Sequence, residues 1–294
     1  MRAMIALVKR EYIEHRGAFV FGPAILLGLM LFASLYSTWS ASVHTGIADE
    51  LPGSLRFYEA AFSIIVAGWW AYLLVMLFFY FADAFSSDSR NNSMLFWKSM
   101  PQTDFKIFGS KMAAAFTVFP AAILLAVAIS GIIAYLPALS VGAAIPGYAP
   151  PGFLDTLGAW ANIMTTAIVF FALGLLWYAP FFAWVGLLSV LFRRWAIPLA
   201  FLIPVALGLA ENLVTRRWSR DGGALLSYLG ERMNFRFDGL DFEVVWILGE
   251  PWNAPELIGR MVLGLDWISL AGGLAIAVIL VWLASEYRRR WVLA

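Results

Sequence analysis

Between Ala18 and Trp39 the chain carries no charged residue, and comparable uncharged runs recur until it ends near the cluster Arg288, Arg289 and Arg290. A hydrocarbon layer about 30 Å thick asks for about 20 apolar residues per crossing, and each crossing must satisfy its own backbone N–H and C=O groups. Long continuous apolar runs meet that demand as helices rather than as a barrel. Composition agrees, because 62% of the 294 residues are hydrophobic, 13% are charged and the mean hydropathy is +0.80. A soluble domain carries roughly a quarter of its residues charged. The chain therefore reads as an all-α polytopic membrane protein with one transmembrane domain over residues 1–294.

Six spans are expected: Ala18 to Trp39, Ala60 to Ala82, Met112 to Leu136, a segment within Ala159 to Phe192, Trp195 to Val214, and Trp267 to Ser285. The uncharged stretch from Thr156 to Phe192 is long for one crossing and short for two. Charge placement decides between them. With the start inside, six spans gather Arg2, Lys9, Arg10, Arg16, Arg90, Lys98, Lys106, Lys111, Arg193, Arg194 and the terminal arginines on the cytoplasmic face. Splitting the fourth segment sends the terminal cluster outside, so one long helix with a kink at Pro180 is preferred. Both ends lie inside. Trp39, Trp160, Trp195, Trp267 and Trp291 suit interfacial anchoring, whereas Trp69 and Trp70 fall mid-span and are expected to pack between helices.

Three parts remain outside the spans. Residues 1–17 place Met1, Ile5, Val8 and Tyr12 at helical spacing, with Arg2, Lys9, Glu11 and Arg16 on other faces, and predict an amphipathic helix on the cytoplasmic surface. Their charges argue against a cleaved signal peptide. Residues 83–111 form a cytoplasmic loop. Residues 215–266 mix both charge signs with Gly222, Gly223, Pro251 and Pro255 outside the membrane, and their Phe242 to Gly249 stretch suits a re-entrant helix.

Catalytic signatures are missing. The chain has no HExxH, no GxSxG and no phosphate-binding GxxxxGK[ST], and its two histidines, His15 and His44, read as surface residues. Zero cysteines exclude disulfides, thiolate metal sites and cysteine nucleophiles. A net charge of +1, with basic residues dispersed over span ends, gives no footprint for nucleic acid. Ionisable residues within the spans are scarce; Glu211, near the outer end of the fifth, is either part of a pathway or gate or a side chain reaching the headgroups. This scarcity argues against ion-coupled transport, so a partner must supply any energy used.

The cytoplasmic loop offers the means. From Arg90 to Asp104 it sets Leu95, Phe96, Trp97 and Met100 between polar flanks, with Pro101 as a helix stop and Thr103 as a cap for the helix that follows. Such a short helix fits either an apolar groove on another protein or the membrane interface. Leu95-Phe96-Trp97-Lys98-Ser99-Met100-Pro101, with Lys9-Arg10-Glu11-Tyr12 and Glu14-His15-Arg16-Gly17-Ala18-Phe19 near the start, resembles the permease subunits of type-2 exporters among the ATP-binding-cassette transporters. The likeness covers nearly the whole chain in layout and these two stretches in residues.

The resemblance implies an elbow helix containing Lys9, Arg10, Glu11 and Tyr12, six spans, a coupling helix between the second and third spans, and re-entrant helices before the sixth. It implies a separate ATPase subunit in two copies, holding ATP and Mg, and a second permease as homodimer or heterodimer in a bacterial plasma membrane. Phe96 and Trp97 become the apolar anchor for the ATPase, with Arg90, Lys98 and Asp104 as polar contacts around it. The chain itself binds no cofactor on this reading and moves outward a substrate that the sequence does not identify; the apolar spans are compatible with an amphipathic or lipid-like molecule. A scaffold that recruits a cytoplasmic partner without transport is the alternative.

Overall fold

A computed structural model describes residues 2–40, 53–85, 104–144, 149–215, 223–238 and 252–292. The described chain is helical: α1 (Arg2–Arg16), α2 (Gly22–Ser40), α3 (Ser54–Ala84), α4 (Asp104–Ala113), α5 (Phe119–Ile133), α6 (Tyr135–Ala144), α7 (Phe153–Phe192), α8 (Ala196–Thr215), α9 (Ala224–Met233), α10 (Ala254–Gly264) and α11 (Trp267–Tyr287). Five helical runs are long and apolar enough to cross a membrane: Met4–Ser37, Ser54–Ala84, Lys106–Ser140, Phe153–Val214 and Trp267–Arg290. The protein is thus a multi-pass membrane protein with an all-helical fold.

Two differences from the sequence reading have local causes. The N-terminal helix is not set apart from the first span, because α1 passes into α2 through a π-helical turn at Gly17–Phe21 without leaving helical geometry. A second π-helical turn, Ala114–Val118, joins α4 to α5. Each turn lies just ahead of a proline, Pro23 or Pro120, whose ring lacks the N–H that the ladder needs, so the hydrogen bonds shift register there. The first turn meets the start of α5, just past the second turn, where Phe19 and Phe119 stack with centroids 3.9 Å apart.

The second difference is the run from Phe153 to Val214, which joins the expected fourth and fifth spans. Within it α7 is a single helix of 40 residues with Pro180 inside, as expected, and Asp155 in its first turn complements the helix dipole. A short 3-10 turn, Arg193–Trp195, follows, and Arg193 adopts a φ of 51°. That left-handed geometry is unfavourable for a side chain and turns the path back. The Trp184 indole N–H then donates to the Ala200 carbonyl at 3.3 Å, so α8 returns along α7.

The core forms around α3, α5, α7 and α11. The second and fourth runs lie parallel: Trp70 packs on Phe171, Phe81 stacks on Phe182, and Phe85 approaches Gly186, where an added methyl would lie 2.8 Å from its ring. α5 runs the other way against α3, with Tyr58 donating to the Gly131 carbonyl at 3.1 Å and Trp69 donating to Ser130 Oγ at 2.8 Å. Such bonds matter in lipid, where apolar burial gives no preference for helix over acyl chain. Trp69 and Trp70 pack between helices as their mid-span positions predict.

Trp160 departs from the expected aromatic belt. It lies against Gly131 and donates to the Ala128 carbonyl at 3.1 Å, because the helix–helix contact there leaves a slot only where a glycine faces it. Trp195 and Trp267 are exposed, as anchors should be. The Trp39 and Trp291 side chains lie outside the described residues.

Candidate functional site

The strongest polar constellation sits where the N-terminal helix meets the base of the second and third runs. Lys111 is 1% exposed, and its ammonium donates to Glu11 Oε1 at 2.8 Å. The other carboxylate oxygen, Oε2, accepts from the Tyr80 hydroxyl at 2.9 Å. Tyr80 also approaches the Lys111 carbonyl at 3.3 Å, so three helices share one buried network. His15 completes it, half-buried, with Nδ1 beside the Glu11 carbonyl at 3.1 Å and its ring edge-on to Tyr80 at 4.7 Å. The sequence reading that puts His15 on the surface is corrected here: one turn beyond Glu11, it is carried onto the same packed face.

Tyr80 lies one turn before the end of α3 and Lys111 near the end of α4, so both sides of the segment 86–103 are tied to Glu11 on α1. Phe85, just past α3, and Phe108 in the middle of α4 stack at 4.2 Å and bring the same two helices together. Contacts on both flanks of that segment therefore join three helices.

The expected docking residues Arg90, Leu95, Phe96, Trp97, Lys98 and Met100 lie outside the described residues. Asp104 opens α4, and its side chain is likewise outside them. The expected elbow residues divide by face. Lys9 and Tyr12 are exposed, Arg10 pairs with Glu14 at 2.6 Å one turn on, and Glu11 alone points into the core. Ile5 is 67% exposed and Ile13 49% exposed, beside the charged residues of α1, whereas Leu7 and Val8 pack against the core. Glu11, Glu14 and His15 also have metal-ligand spacing, with the two carboxylates paired to Lys111 and Arg10.

At the opposite end Glu211 has a structural task. Its two oxygens accept from the Ala224 and Leu225 backbone N–H groups, each at 3.0 Å, and so satisfy the first orphan donors of α9. Gly223, with φ of 91°, makes the turn that brings those groups to the carboxylate. The far end of α9 is held in the same way by α7: the Trp177 indole donates to the Arg232 carbonyl at 2.8 Å and the Tyr178 hydroxyl to the Met233 carbonyl at 2.7 Å. From there Phe235 and Phe237 lead back along Phe170. The expected re-entrant stretch Phe242 to Gly249 lies outside the described residues, whereas α9 and α10 supply short helices on either side of it.

Between α3, α7 and α10 lies a small apolar cavity lined by Val66, Ile163, Ala167, Phe170, Trp252 and Met261. α11 begins on Asp266, whose carboxylate accepts from the Ser269 N–H at 3.0 Å and from its hydroxyl at 2.6 Å. These bonds hold the Asp266 carboxyl below its usual range. Comparison with known protein families, with curated proteins and with solved structures returns no match.

Proposed function

We propose that this chain is the permease subunit of an ATP-driven exporter of the ATP-binding-cassette type, working with a separate ATPase that carries ATP and Mg. The observation that supports this reading best is the buried Glu11, Lys111 and Tyr80 network, which ties the N-terminal helix to both sides of segment 86–103. A docking segment is useful for work only if its displacement reaches the spans. Here a rigid polar joint lies at its base, made from α1, α3 and α4, and the sequence Leu95-Phe96-Trp97 offers an apolar anchor between them.

The topology proposed is six crossings with both ends inside. A straight path of 62 residues is about 93 Å, three times the layer. The turn at Arg193-Arg194-Trp195 and the return of α8 along α7 favour two crossings from the Phe153–Val214 run. The remaining four runs make six. Two permeases and two ATPases form the working unit, and a bacterial inner membrane is the proposed location. The cargo moves outward, and the apolar spans favour an amphipathic or lipid-like molecule.

Copurification tests the central contact. A co-expressed ATPase of this class is expected to copurify with the full chain, and Phe96→Ala with Trp97→Ala to abolish it while the permease itself still purifies. Undiminished copurification overturns the docking site. ATP hydrolysis and flux in liposomes then test transport, and binding without either favours a scaffold.

A further inference from the structure

The geometry points to Arg232 as the cationic centre of a binding site for an anionic amphiphile, a molecule with a phosphate or carboxylate group on an apolar chain. Arg232 belongs to α9 and is 5% exposed, yet it occupies none of the roles assigned above. Its guanidinium lies over the Trp177 ring at 3.9 Å, and Nη2 approaches the Trp177 carbonyl at 3.4 Å. Nη1 is buried and has no hydrogen-bond partner among the described residues. A guanidinium presents five donors in a planar fork, and one long contact leaves most of that capacity unused.

Packing shows that this placement is built rather than incidental. Both carbonyls at the end of α9 are held by Trp177 and Tyr178, which fixes the backbone that carries the side chain. On α11 the facing residue is Gly273, where an added methyl would lie 2.1 Å from Nη2. Any other residue at that position displaces the cation. Trp177 and Pro180 of α7 complete the surround, so three elements converge on the guanidinium.

Charge balance identifies the missing partner. A buried cation among apolar groups is unfavourable unless an anion meets it, and within a membrane protein such a residue marks a site. Asp266 is the carboxylate whose charge acts on Arg232, but the two form no hydrogen bond or ion pair, its oxygens accepting from Ser269 at the start of α11. On α9 itself Tyr228 and Met233 are 50% and 58% exposed, which sets an apolar surface beside the buried charge. A phosphate or carboxylate that reaches the unpaired Nη1 forms a charge-assisted pair with it, while its chain lies along that surface. The site is independent of the ATPase proposal, since it needs only the outer helices.

Full chain in phosphatidylcholine nanodiscs supplies the test, read by thermal melting and by native mass spectrometry of retained lipid. Phosphatidylglycerol probes a bilayer source of the anion and oleate a free amphiphile; inorganic phosphate probes the anion alone. Wild type is expected to be stabilised by either amphiphile at a dose about tenfold below that at which extra phosphatidylcholine acts, the factor of one charge-assisted contact. Arg232→Gln is expected to lose that preference, and Arg232→Lys, a point charge without the fork, to keep part of it. If Arg232→Gln does not fold, the wild-type lipid series and Arg232→Lys decide. Equal response to phosphatidylcholine, an unchanged preference in Arg232→Gln, or full stabilisation by inorganic phosphate alone overturns the proposal.

Discussion

Replacing Lys111 by Met removes the ammonium that meets Glu11 while keeping much of the side-chain volume. The environment sets the magnitude, because the two side chains are 1% and 5% exposed and the pair distance is 2.8 Å. An exposed pair contributes about 0–1 kcal/mol, whereas stranding one charge of a buried pair costs about 3–5 kcal/mol. The Tyr80 hydroxyl still reaches Glu11 Oε2, so one charge-assisted hydrogen bond of about 1.5–3 kcal/mol survives and keeps the loss toward the lower figure. At about 2–4 °C per kcal/mol this predicts a fall in Tm on the order of 10 °C. Thermal melting in detergent, followed by tryptophan fluorescence, reads it directly. Adding Glu11→Gln to Lys111→Met removes the stranded charge and is expected to restore most of the lost stability, since a buried pair replaced as a whole is near neutral. Arg10→Ala, which breaks the surface pair with Glu14, serves as the control and is expected to cost about 0.3–0.5 kcal/mol. A Lys111→Met variant that melts within about 2 °C of wild type, or single effects that simply add in the double variant, refutes the claim that this network holds the three helices together.

Three further outcomes follow from local geometry. Gly131→Ala is expected to lose about 1–3 kcal/mol by overpacking, because the added methyl would lie 2.5 Å from the Trp160 ring and 2.6 Å from Phe62; Gly28→Ala, with nothing within 4 Å, is expected to be neutral or mildly stabilising in the same melting assay. The Asp266 cap should make stability sensitive to acid. Its folded carboxyl is held below the unfolded value of about 4, so its contribution is complete above that value and is lost as pH falls through the folded one. The Tm difference between wild type and Asp266→Ala is accordingly expected to shrink as pH falls from 6 toward 3, and a constant difference rejects the cap. With no native cysteine in the way, Arg194→Cys should react with an impermeant maleimide only from the cytoplasmic face and Asn253→Cys only from the opposite one; labelling of both from one face rejects the six-crossing topology.

Which parts of this protein can be read from its sequence depends on whether one helix or several determine the feature. Crossing helices are legible because hydrocarbon thickness acts on each segment separately, and so the runs containing Leu73, Ile123 and Val281 stand out without knowledge of their neighbours. Trp69 and Trp70 are legible for the same reason, since mid-span depth alone removes them from the interface. The joint between Glu11 and Lys111 is different: 100 positions separate the partners, and each separately resembles an ordinary charge at a membrane boundary. The informative signal was the count of acids. Glu11 is an acid among the basic residues of the N-terminal helix, and the helix period places His15 one turn after it on the same side. Arg232 left a fainter trace, because its burial depends on Trp177 and on the missing side chain of Gly273, two helices that the sequence does not bring together until α9 is tied back onto α7. Residues that one helix places are therefore those the sequence reveals, while the residues that join helices emerge only from the packing.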